Sequence, residues 1–435
     1  MRKVLMIAYQ FPPMGGSGVQ RTAKFVKYLR EFDWEPVVLT RSLKGMELTD
    51  ESLLKDIPPD VEIIRTKAYD PTSLPGILRL PGKFAGRKLF IPDAEMLWRY
   101  FTENTARNLV ANGDIGIVYT TSYPYSDHIL GLDLKKRFPD VPWVADFRDE
   151  WTKNPYLIDN PHNPCRTAIE KKMEKNVLDN ADVLITNTPI MERHFIETDI
   201  KYSQKFNVIP NGFDSDDFPE VREAPSNPSF TLTYAGLLYG RRKPDTFFEA
   251  LSGLIKEGKI DSRNIRVNLI GNFKTADLKK RVRDFSLAGI VEIIPYADHD
   301  LCLDMLSGSD ALLLIEGTGP GAEAFYTGKV FEYMRTGRPI LAIIPEHGAA
   351  AGLIRETGTG LVSDYNDIEN IKQNLYRLYE NWRKGIATCT PDNDRIMKYD
   401  RRNLTEQLAK LFDNAAGFQK RLRHTQSGGN YEDIE

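Results

Sequence analysis

The sequence predicts an α/β protein built as two doubly wound parallel-sheet units that face each other across a cleft. Short β-rich apolar runs alternate with longer segments of helical period from end to end. The alternation restarts after a polar, proline-rich stretch near residues 205–225. The chain has 435 residues, too many for one ordinary core, so two units of ~200 residues are expected.

In the first half the strand candidates are residues 3–8, 35–40, 61–66, 115–121, 142–147 and 181–188. Helical patterns lie between them at 19–32, 95–112, 126–138 and 167–180. The first places Val19, Ala23, Val26 and Leu29 at three- or four-residue spacing. Near-continuous apolar strands of this kind belong to parallel sheets covered on both faces. A short strand and turn at 206–214 opens the second half. Strand candidates follow at 230–236, 265–271, 291–296, 310–316, 338–344 and 358–364, with helices including 245–258 and 328–337. The expected division is a first unit over 1–205 and a second over 206–398. A helix over 399–417 is free to pack back on the first unit, and 418–435, poor in apolar groups, forms a flexible tail.

Apolar residues make up 41% and charged residues 27%, the balance of a soluble globular chain. The formal charge of −3 supplies no basic field for nucleic acid. Cys165, Cys302 and Cys389 are odd in number and far apart, which argues against a disulfide framework or zinc cluster and fits a reducing compartment. The opening "MRKVLMIAYQF" reads as a first strand rather than a targeting peptide, and no apolar run approaches the ~18 residues of a membrane span. The expectation is a cytoplasmic protein, with attachment to the inner face of a membrane left open.

Ligands of open α/β sheets sit beyond the carboxyl ends of the strands, so the loops there carry the candidate chemistry. "YQFPPMGGSGVQR" (9–21) leaves the first strand with Gly15, Gly16 and Gly18 ahead of a helix. It reads either as a tight turn or as an anion site at the helix N-terminus, and its spacing matches no dinucleotide or P-loop fingerprint. "ADFRDEW" (145–151) crowds Asp146, Arg148, Asp149 and Trp151 at a strand end, as a structural ion pair or as a sugar-recognition group. "GRRKP" (240–244) puts Arg241, Arg242 and Lys243 where cations would neutralise a diphosphate, or where they form a solvated face. "EAFYTGKVFEYMRTGRPILAI" (323–343) sets Thr327, Gly328 and Lys329 at a helix N-terminus, with Glu332 a turn later among apolar neighbours. The six histidines are scattered, no H-E-x-x-H occurs, and "DSDD" (214–217) lies in the polar linker. No metal site and no cofactor are expected.

In order along the chain, "FPPMGGSGVQR", "ADFRDEW", "VIPNGFD", "YAGLLYGRRKP" and "TGKVFEYMRTGRPILA" resemble the GT-B glycosyltransferases. The resemblance is to the large retaining family 4-like group, which includes sucrose-synthase-like and mannosyl-transferring enzymes, and it covers about residues 1–415. "DFRDEW" is similar to a subgroup acting in cell-surface polysaccharide assembly. The resemblance implies two Rossmann-like domains, a UDP- or GDP-linked sugar donor as substrate, and a glycan or lipid-linked acceptor. It implies metal-independent transfer with retention of anomeric configuration, the leaving diphosphate oxygen taking the acceptor proton.

By position, the resemblance assigns Gly16, Asp146 and Arg148 to the reacting centre. Gly15, Gly16, Arg241, Arg242, Lys243, Gly328 and Lys329 fall to the diphosphate. Glu332, Glu323 and Thr327 fall to the ribose and donor sugar, and Asp149 and Trp151 to the acceptor side. Three positions depart from the family pattern: Ala324 replaces the first glutamate of E-x7-E beside Glu323, Leu237 replaces the usual arginine, and Asp146 stands where many relatives have histidine. The basic, glycine-rich stretch 74–93 reads as a lid or as a surface facing a lipid-linked acceptor. The competing readings are a nucleotide-sugar 2-epimerase and a non-catalytic nucleotide-sugar-binding protein.

Overall fold

A computed structural model of the chain describes residues 1–45, 49–68, 90–218 and 227–427. Most of the 74–93 stretch, and part of the polar linker, lie outside the described residues. The chain divides into two units, Met1–Pro210 with Arg402–Glu435, and Asn211–Arg401.

In the first unit the strands are β1 Arg2–Ile7, β2 Trp34–Arg41, β3 Glu62–Thr66, β4 Ile115–Ser122, β5 Trp143–Phe147, β6 Val183–Thr186 and β7 Phe206–Val208. They form one parallel sheet in the order β3-β2-β1-β4-β5-β6-β7. The apolar runs are buried on both faces, as in β5, where every residue is enclosed. The order reverses direction between β1 and β4, and a crevice opens at such a switch point beyond the strand ends. Gly131, in the helix Ser126–Arg137, fits only because it lacks a Cβ. One placed there would lie 2.5 Å from Trp143 Nε1 and 2.7 Å from Thr120 Cγ2. Gly131→Ala is expected to destabilise the protein by about 1–3 kcal/mol through overpacking. Urea unfolding checks this, since an unchanged midpoint would mean the Trp143 pocket has slack.

The second unit holds β8 Phe230–Ala235, β9 Ile265–Ile270, β10 Val291–Ile294, β11 Ala311–Ile315, β12 Ile340–Ile343 and β13 Gly360–Ser363. Its sheet is also parallel, in the order β10-β9-β8-β11-β12-β13, with the switch point between β8 and β11. Two apolar layers flank it. Phe247, Phe248 and Leu251 belong to one, and Val330, Phe331 and Met334 to the other. Among the described residues, no helix is long and apolar enough to cross a membrane.

Two boundaries differ from the sequence expectation. Strand β7 completes the first sheet instead of opening the second unit, so the division falls after Pro210 rather than after 205. Phe206 is buried and stacks on Phe195 with centroids 5.2 Å apart, which ties this strand to the first core. The last helix, Arg401–Ser427, runs past residue 417, where a flexible tail was expected to start. Its Gln-Lys-Arg-Leu-Arg run consists of good helix formers. Leu404, Leu408 and Phe412 of this helix are enclosed in the first unit's core, with Phe412 edge-on to Trp34 at 5.3 Å.

Candidate active-site loops

In the first unit the glycine loop leaves β1 at the switch point. Of its glycines, Gly16 adopts positive φ, 105°, and caps the helix Ser17–Tyr28. That helix has no side-chain cap bond and no acidic residue in its first turn, so its positive end stays uncompensated. Gly18 is required for a different reason. A Cβ there would fall 2.0 Å from Gln10 Oε1 and 3.4 Å from an Arg148 nitrogen. Gly15 is partly exposed.

Asp146 ends up elsewhere than at a sugar-facing position. It is fully enclosed, and Arg21, also enclosed, donates to both its oxygens, Nε at 2.7 Å and a terminal nitrogen at 3.0 Å. Tyr119 Oη also donates to it. The Arg21 terminal nitrogens bond the carbonyls of Ile209 and Pro210, each at 2.8 Å, so this pair fixes the start of the "IPNGFD" passage. The catalytic role expected for Asp146 therefore gives way to a structural one: a carboxylate whose oxygens are taken by buried donors has none to offer a hydroxyl. Burial pushes the Arg21 pKa down, but the Asp146 charge outweighs it with help from Tyr119, and the net shift is upward.

Trp151 is likewise enclosed, stacked face to face on Tyr125 at 4.6 Å, and has no open face for an acceptor ring. Tyr125 passes a hydrogen bond to the Glu150 carbonyl at 2.7 Å, which locks the stack. Asp149 is partly exposed. Arg148 is not paired to a carboxylate by any described hydrogen bond. It donates instead to the carbonyls of Ser122, Tyr123 and Gly18 and to Gln10 Oε1. Asp127, which the sequence reading passed over, is enclosed below the same loop and accepts from the Tyr9 N–H at 2.9 Å. Burial pushes its carboxyl well above the usual range.

In the second unit the elements around the β8/β11 switch point gather Lys329, Tyr234, Arg242, Glu316, Glu332 and His299. The helix Gly328–Arg335 is moored by Tyr333, whose hydroxyl accepts from the Ala235 N–H at 2.8 Å. Lys329 in its first turn donates to Tyr234 Oη at 2.9 Å and lies over that ring, 4.2 Å from the centroid. Its Nζ lies so near Gly236 that a Cβ there would be 2.7 Å away, and Gly236 holds φ at 130°. Burial, then the neighbouring Arg242 charge, pushes the Lys329 ammonium down to about 7, against the opposing pull of Glu316 and Glu332. Arg242 also sits over the Tyr239 ring at 5.3 Å. Glu316, enclosed just past β11, accepts from the Thr327 N–H at 3.3 Å, and burial raises its pKa.

Glu332 is one-fifth exposed, and its Oε1 is 2.9 Å from His299 Nε2. Ala324, at the position of the first family glutamate, is enclosed, whereas Glu323 is partly exposed. The three cations of "GRRK" separate in role. Arg241 is tied to the carbonyls of Thr318 and Pro320 at 3.0 and 2.9 Å, Lys243 is exposed, and Arg242 alone of them faces Lys329 and Glu316. Arg241 thus braces the 317–321 loop through one terminal nitrogen. Glu316 and His299 were not singled out from sequence. A lone carboxylate closing the apolar run "DALLLI" was the available signal for Glu316, and His299 had none.

Residues 16–217 match the family described as Glycosyltransferase Family 4. A curated D-inositol 3-phosphate glycosyltransferase of Corynebacterium urealyticum is 21% identical over 276 residues, which are 60% of this chain and 62% of that protein. The match thus spans about three fifths of that relative's length. Among solved structures, a glycosyltransferase from Rickettsia africae superposes with a TM-score of 0.66 at 13% identity, covering 95% of this chain and 98% of its own. A sucrose-phosphate synthase from Thermosynechococcus elongatus does so at 0.60 and 14% identity, covering 99% and 100%.

Proposed function

We propose, from the match of residues 16–217 to Glycosyltransferase Family 4 and from the two-domain, Rossmann-like GT-B fold, that this chain moves a sugar from a UDP- or GDP-linked donor to a glycan or lipid-linked acceptor. The transfer retains anomeric configuration, needs no metal, and serves cell-surface polysaccharide assembly, at the inner face of the membrane when the acceptor is lipid-linked. The observation that carries the reading is the pairing of Lys329 with Arg242 at a helix N-terminus beside the close-approach glycine Gly236. Two cations whose charges oppose each other in a half-buried site are suited to a dianionic ligand. A diphosphate there would receive N–H groups of the helix and both side-chain charges. The same groups would stabilise the leaving diphosphate, which then takes the acceptor proton, so the protein supplies electrostatics in place of a strong base. Glu332, oriented by His299, supplies the carboxylate for a ribose diol.

Calorimetry with UDP and GDP, followed by product analysis with the sugar-linked forms, tests this. One nucleotide is expected to bind. Arg242→Ala and Glu332→Ala are each expected to weaken that binding by roughly tenfold or more, as loss of a charge-assisted contact does. Binding unchanged in both variants would remove the donor site. A free 2-epimer as sole product would replace transfer by epimerisation, and binding without turnover of any sugar would leave a binding protein. Retained turnover in a chelator, and an α product from an α donor, are the expected accompanying results.

A further inference from the structure

We infer that Arg148 is a positioning residue: its guanidinium fixes the glycine loop of the first unit, and through that loop sets the reaction geometry. The second half of this inference rests on the transferase reading; the first half does not. Four acceptors from three segments converge on one side chain. They are the Gly18 carbonyl in the first helical turn, the Ser122 and Tyr123 carbonyls where β4 ends, and Gln10 Oε1 just after β1. Arg148 itself stands directly after β5. The clamp thus straddles the β1/β4 switch point and joins it to the next strand.

The clamp holds the loop at its weakest place. Gly16 is in the left-handed φ region, with open space where a Cβ would be, and no side chain caps the helix it starts. The local restraint is the helix's own start, where the Val19 N–H bonds the Gly16 carbonyl at 3.3 Å. The Arg148 bond to the Gly18 carbonyl adds a restraint from outside the helix, and Gly18 lacks a Cβ where one would strike Gln10 Oε1 and crowd Arg148. A planar guanidinium is suited to this, since its donors point in several fixed directions at once, whereas a lysine ammonium would hold one or two of the carbonyls. Four of the five Arg148 N–H donors are engaged within the protein, three on backbone carbonyls and one on Gln10 Oε1, which makes its main action that of holding the loop.

The test uses the full chain and its Arg148→Lys and Arg148→Ala variants. Amide exchange by mass spectrometry is read over residues 9–21 and, as an internal control, over the second unit. Exchange in 9–21 is expected to rise roughly tenfold in Arg148→Ala and less in Arg148→Lys, with the second unit unchanged. With the nucleotide sugar found to turn over, kcat is expected to fall about 100-fold while the donor KM stays within about threefold, since misplacement costs the chemical step and not donor binding. Added guanidinium ion is expected to restore part of the rate to Arg148→Ala. Unchanged exchange over 9–21 in both variants would overturn the clamp. A loss falling wholly on donor KM would overturn its link to the reaction. If the parent chain turns over no nucleotide sugar, the transferase reading fails and the exchange result alone decides the clamp. Should Arg148→Ala not fold, Arg148→Lys carries the same comparison.

Discussion

Asp146→Ala is expected to destabilise the first unit by about 3–5 kcal/mol, the usual cost of stranding one partner of a buried ion pair. Arg21 would keep the Ile209 and Pro210 carbonyls but lose both carboxylate bonds while remaining enclosed, and Tyr119 would lose its acceptor. A loss of that size corresponds to a fall of roughly 10 °C in the unfolding midpoint of a unit of this length. Asp146→Asn, which keeps the shape but removes the charge, is expected to lie between. Differential scanning calorimetry distinguishes this from the sugar-facing role expected from sequence. A variant that melts like the parent but loses turnover would restore Asp146 to the chemistry.

Nucleotide affinity is expected to fall as pH rises through neutrality. Lys329 in the free protein titrates at about 7 rather than at the ordinary 10.5. A diphosphate interacts with the ammonium form, so binding takes up a proton and raises that pKa. Affinity is then full below pH 7 and declines above it until the bound form also deprotonates. Between pH 6.5 and 8.5 the dissociation constant for UDP or GDP, whichever binds, should rise by an order of magnitude or more. In Lys329→Met the nucleotide should bind weakly at both pH values, with little slope. Stability of the free protein moves the other way. A cation whose folded pKa is depressed leaves the unfolded chain holding the extra proton between about 7 and 10.5, so its contribution to stability grows with pH across that window. A flat binding profile for the parent would sink the assignment of Lys329 to the diphosphate.

The strands were legible in the sequence because a parallel sheet buried on both faces leaves an unbroken apolar run, as in "WVADF" and "ALLLI". The loops that follow them were legible as places. What each side chain does in its loop was not. Arg21 and Asp146 are 125 positions apart, and Arg21 reads as one more cation on a helical pattern. Nothing in the local sequence says that it turns inward and takes the carboxylate. Trp151 was misread for the same reason, since its partner Tyr125 comes from another loop. The placement of Lys329 and Glu332 was legible because one helix fixes their spacing and a glycine marks its start. His299, which meets Glu332 from a different helix, was hidden. Residues set by one element were therefore readable, and those set by tertiary pairing were not.

The return of the last helix to the first core has a consequence for synthesis. Leu404, Leu408 and Phe412 are contributed only after all of Asn211–Arg401 has been made. At ~5–20 residues per second, the nascent first unit waits roughly 10–40 s with the faces of Trp34 and Tyr119 that meet Phe412 uncovered. The second unit, continuous in sequence, can finish folding before the first. The order of completion on the ribosome is thus the reverse of the order of the residues, and the newly made chain carries an open apolar seam for as long as its second half is being translated.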